Sequence, residues 1–148
     1  MDYVVVKWLH ILSATFMFGT GLGSAFYLFF TNRSRNVHAI AVVARQVVWA
    51  DWLFTAPAVA IQPATGAYLL YRAGIPWDTP WVVWTLALYV LAGACWLPVV
   101  WLQMRMRDMA RAAAAAETAL PAQYWRYARL WVALGVPAFT SMVVIYYL

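Results

Sequence analysis

The stretch WVVWTLALYVLAGACWLPVVWL, Trp81–Leu102, decides the fold. It carries no charged side chain, and it is longer than the roughly 20 apolar residues that a helix needs to cross a bilayer core about 30 Å thick. Three more apolar runs flank it, at about 3–30, 44–71 and 124–148. Four spans of this length use up most of a 148-residue chain and leave no room for a second domain. The composition agrees, with 66% hydrophobic, 18% aromatic and only 10% charged residues, against roughly 25% charge in an ordinary soluble domain. The first run is too long for the apolar core of a secretory signal and is expected to be a retained span.

Between the runs lie the breaks. TNRSRN closes the first, and a short interfacial piece at 37–43 is expected before the second. RAGIPWDTP, Arg72–Pro80, has the Gly, Pro and Asp content of a loop. The third helix is expected to continue through the alanine-rich MRMRDMARAAAAAETAL to about 120, because alanine is the best helix former, until Pro121 forces a restart. Short connections between four spans imply an all-α antiparallel four-helix bundle. Arg33, Arg35, Arg45, Arg105, Arg107, Arg111, Arg126 and Arg129 all fall on one side of it, leaving Lys7 and Arg72 on the other. Positive residues stay inside, so both termini are expected on the outer side of a bacterial inner membrane. These scattered arginines form no compact block and no nucleic-acid motif. The lipid bilayer is the expected partner, with a homo-oligomer open, and Gly19 and Gly23 supply a GxxxG pair that would let helices approach closely. Pro57 and Pro63 are expected to bend the second span.

Two polar layers emerge when depth is counted at about 1.5 Å per residue. The outer one holds His10 with Gln62, Thr65, Thr85, Tyr89, Thr140, Ser141 and Met142. The inner one gathers Arg45, Asp51, Gln103, Arg126 and Arg129. A carboxylate at that depth is costly unless it is paired or faces water, so one of these arginines is the expected partner of Asp51, with a ligand or proton site as the alternative. Asp51, Thr55 and Gln62 share one side of the second span, as Thr85, Tyr89, Trp96 and Gln103 do on the third; both stripes should face the bundle interior.

His10 admits three readings: a haem iron ligand, a hydrogen-bonded structural residue, or a centre of metal or proton chemistry. Its face also carries Met17 and Gly21. His38 cannot be a second ligand to the same iron, because it follows His10 by a stretch of helix about 40 Å long. Lys7 and Met142 are the remaining candidates for the opposite position.

KWLHI at Lys7–Ile11 resembles the KxxHI opening of the HemJ-type protoporphyrinogen oxidases, four-helix bacterial membrane proteins, and the chain is distantly similar also to CopD-like membrane proteins. Arg45 and the segment TAPAVAIQPATGAYLL, Thr55–Leu70, are similar to the second-span pattern of those oxidases. The whole chain looks closer still to an uncharacterised bacterial family of integral membrane proteins, through RQ, DW, QPxTG and CWLPVVWLQ. The resemblance implies b-type haem on His10; a haem there is expected to have Lys7 beside a propionate and Met17, Gln62, Thr85, Tyr89 and Met142 around it. It also implies an essential lysine early in the third span, where this chain has Thr85, so protoporphyrinogen oxidation is not carried over. The expectation is a haem b protein, redox-active toward a quinone or another lipophilic or porphyrin-like small molecule. A cofactor-free membrane subunit and a small metal-handling or transport protein stand as alternatives, and no catalytic residue is assigned. There is no P-loop, dinucleotide fingerprint, HExxH or CxxC to support a common soluble-enzyme chemistry.

Overall fold

The computed structural model describes residues 2–148, all helical or in short connections. Helix α1 spans Tyr3–Ser34, α2 Val37–Ala50, α3 Ala56–Ala73, α4 Pro80–Ala115 and α5 Ala122–Tyr147. A π-helical turn, Asp51–Thr55, joins α2 to α3, so that Val37–Ala73 is one membrane-length helix and the spans number four.

Local chemistry sets the boundaries. Asp2 caps α1 by accepting from the Val4 N–H, and Arg35 closes it in a left-handed conformation (φ 57°). Asn36 then caps α2 by accepting from the Ala39 N–H at 3.0 Å, which makes the reversal very tight. Gly74 ends α3 with φ 66°, a conformation that glycine adopts without a Cβ clash. Pro80 opens α4, where its missing N–H has no intrahelical acceptor to lose.

The π-helical turn also has a sequence cause. Pro57 cannot donate to the Leu53 carbonyl, and its ring would press on that carbonyl in a regular helix. The backbone widens instead, and the Ala56 N–H reaches the Asp51 carbonyl five residues back. As a result Asp51 and Thr55 are buried while Trp52, Leu53 and Phe54 between them face outward.

The spans run antiparallel, with both termini at one end of the bundle and the arginines concentrated at the other, basic end. Helix α1 packs on α2 and α3, α2 on α4, and α4 on α5, whereas α1 and α5 meet only sparsely. The tightest core lies toward the basic end, where Leu28, Ile40, Ala44, Leu102, Met106 and Tyr124 are almost wholly buried. There the Tyr124 hydroxyl donates to Asn32 Oδ1 at 2.6 Å, joining α5 to α1. Elsewhere the surface is apolar: Trp84 is 63% exposed, Leu97 66% and Val90 69%. Such a surface suits acyl chains, which need no polar partner.

Four expectations change. The piece at 37–43 is no separate interfacial segment but the first turns of α2, since nothing after Asn36 breaks the helix. The extension of the third span stops at Ala115, because the chain turns through Ala116 and Glu117, the latter at φ 53°. The Gly19 and Gly23 pair faces open space: a Cβ on either would meet nothing within 4 Å, so no helix approaches there. Finally, Asp51 has no arginine partner. Arg45, Arg126 and Arg129 are exposed, and the ion pair found among the described residues is Arg107 with Asp108, at 2.8 Å.

Candidate functional site

The first polar cluster fastens α1 to α3 near the terminal end. Thr65 gives its hydroxyl proton to the Ile61 carbonyl at 2.8 Å, so the His10 Nδ1–H, 2.8 Å away, is the donor in the bond between His10 and Thr65. That leaves His10 Nε2 as an acceptor, and the Gln62 amide donates to it at 3.3 Å. Ser13 closes the chain by donating to Gln62 Oε1, with the His10 carbonyl 3.0 Å from the same hydroxyl. The bonds through Ser13, Gln62, His10 and Thr65 thus run one way along the chain, and the imidazole is held at both nitrogens. Gly66 makes the fit possible, since a Cβ there would lie 3.3 Å from His10 Cε1.

Around this cluster the expected layer divides. Gln62 and Thr65 contact His10, whereas Met17, Tyr89 and Met142 line a separate cavity that His10 does not reach. Thr85 belongs to neither group, and Lys7 is exposed. Ser13 escaped the sequence reading, and Gly66 entered it only as the last residue of QPxTG, because small residues in an apolar run carry no chemical signal of their own.

The second site is that cavity, of about 450 Å³, between α1, the π-helical turn, α4 and α5 at mid-depth. Its walls are mainly apolar and aromatic, with Phe18, Trp131 and Phe139 among them. Phe18 and Phe139 touch, with ring centroids 5.0 Å apart, and close the gap between α1 and α5 toward the terminal end. Below that contact, the lining residues Leu22, Phe26, Val132 and Val136 are all exposed, so the cavity opens sideways where α1 and α5 part.

Polar side chains are few in the lining, and three buried polar atoms on them have no partner. Asp51 is 3% exposed; its Oδ1 accepts from Thr55 at 2.9 Å while Oδ2 receives nothing. Gln103, 4% exposed and beside the same carboxyl, has an unpaired Oε1, and Trp96 has an unpaired indole N–H. A buried polar group without a partner costs roughly 1–3 kcal/mol, so three around one cavity are an unusual concentration. Tyr89 is satisfied, donating to the Val59 carbonyl at 2.6 Å. None of the cavity's lining residues is basic. Among the described residues no three His, Cys, Asp or Glu side chains gather to hold a metal ion.

Four apolar spans around a polar-floored intramembrane cavity define a multi-pass integral membrane protein. Residues 4–148 match a family model, and the chain belongs to that family, the predicted integral membrane proteins called DUF2269. No curated protein and no solved structure matches it.

Proposed function

We propose that this protein binds a lipophilic small molecule inside the bilayer, in the cavity floored by Asp51, Trp96 and Gln103, and that it does so in a bacterial cytoplasmic membrane with its basic end inward. The cluster of three unpaired buried polar atoms in an otherwise apolar cavity carries the reading. Ligand sites have this composition, with apolar walls for affinity and a few convergent polar groups for orientation. The arginine distribution supports the orientation.

A b-type haem on His10, which the resemblance implies, needs an imidazole nitrogen with an open line to iron. In this arrangement Nδ1 is committed to Thr65 and Nε2 to Gln62, and His10 does not line the cavity. The residues as they stand do not fit the group.

The test uses the full chain in nanodiscs of zwitterionic lipid. Radiolabelled dodecanol should bind above the level of protein-free discs, and Gly93→Phe should abolish that excess, since Gly93 lines the cavity and an added Cβ meets nothing within 4 Å. Equal retention by wild type and Gly93→Phe would overturn the proposal. So would a Soret band, formed on haem loading, that is lost in His10→Ala but unchanged in Gly93→Phe.

A further inference from the structure

The three unpaired atoms differ in kind, and the difference selects a ligand. Asp51 Oδ2 and Gln103 Oε1 are acceptors, while the Trp96 N–H is a donor. The two acceptors lie on neighbouring side chains that are both more than nine-tenths buried. Gln103 also hydrogen-bonds the Asp51 carboxyl, but Oδ2 of the one and Oε1 of the other stay without a partner. Thr55 is already spent on Oδ1, and the nearby cations Arg45, Arg126 and Arg129 are exposed and absent from the lining. A carboxylate held in such a place calls for a positive charge that also carries several N–H bonds.

We infer that the cavity takes a lipophilic primary amine, bound as its ammonium: the head donates to Asp51 Oδ2 and Gln103 Oε1, and the alkyl tail leaves through the opening between α1 and α5. This rests on the cavity being a ligand site and adds the chemistry of the head. An ammonium has three donors and no acceptor, so it answers both unpaired oxygens at once. Tyr89, Trp96 and Trp131 in the same lining bring aromatic rings, whose electron-rich faces attract a cation. The exposed Leu22, Phe26, Val132 and Val136 at the mouth give the tail an apolar path that is continuous with the bilayer.

The experiment compares dodecylamine with dodecanol on the full chain in zwitterionic nanodiscs, for wild type, Gly93→Phe and Asp51→Asn. Wild type should hold the amine at least about tenfold more tightly than the alcohol, the ratio expected when a hydrogen bond to a charged group is added. Asp51→Asn keeps the size and shape of the side chain and should remove that preference while leaving alcohol binding intact. A wild-type protein that binds both probes equally, or an Asp51→Asn variant that keeps the preference, would overturn the inference and leave the cavity reading standing. Failure of both probes to exceed protein-free discs would overturn both. Circular dichroism of each variant confirms that it is folded.

Discussion

Gly19 and Gly66 are the same residue in two apolar helices, yet a methyl group added to each meets different surroundings. At Gly66 it would lie 3.3 Å from the His10 ring, which cannot retreat without stretching a Gln62 bond already 3.3 Å long. Gly66→Ala should therefore destabilise the protein by about 1 kcal/mol, as mild overpacking does. Gly19→Ala should be neutral or stabilising by up to roughly 1 kcal/mol, because alanine is the better helix former and the space is empty. Thermal melts of the two variants in detergent decide this, and a larger loss at Gly19 would restore the close-packing role that the GxxxG spacing suggests. At this scale the sequence was partly legible. Depth counting brought Gln62 and Thr65 to the level of His10, because antiparallel helices convert residue number into height. It could not show that Met17, Tyr89 and Met142 turn toward a different space, since height says nothing about rotation. Asp51 was legible as an anomaly and not as an unpaired one: the exposed arginines keep their heads with water or headgroups, as long basic side chains do near a membrane surface.

Among the elements, the π-helical turn does the most to shape the cavity. A regular helix turns about 100° per residue, so one residue inserted at Asp51–Thr55 resets which side of α3 faces inward relative to α2. It leaves Asp51 and Thr55 on the buried side, four apart and hydrogen-bonded to each other. π-Turns occur often at functional sites, where they aim a side chain that a regular helix would place elsewhere. Pro57→Leu restores the N–H that the Leu53 carbonyl lacks, and should let the segment tighten to α-helix. The expected result is equal or higher thermal stability together with a loss of binding to the cavity. Retained binding in a more stable Pro57→Leu protein would show that the turn does not depend on the proline. The prolines signalled a bend in the sequence but gave no hydrogen-bond register, because both a kink and a π-turn relieve the same clash. Helix ends were misjudged for a related reason: apolarity marks where lipid ends, whereas Asn36, Arg35 and Ala116 mark where backbone geometry ends.

As a whole molecule, the bundle was almost fully readable, since four long apolar runs joined by short links leave few other ways to satisfy the backbone in lipid. Its orientation can be checked directly. In a Cys95→Ala background, which removes the one native thiol, Asp78→Cys between α3 and α4 should react with a membrane-impermeant maleimide on intact cells. Thr118→Cys, between α4 and α5, should react only after lysis; the reverse pattern would invert the topology. What the sequence did not disclose is the parting of α1 from α5, which depends on how the helices pack and not on what any one of them contains. If the cavity takes a ligand as proposed, that parting fixes the phase from which it is loaded. Its mouth meets acyl chains instead of water, so occupancy follows the number of ligand molecules per lipid, not per litre. Adding empty vesicles to a loaded sample should strip the site when the total amount of ligand is held constant, because the same ligand is then spread over more lipid.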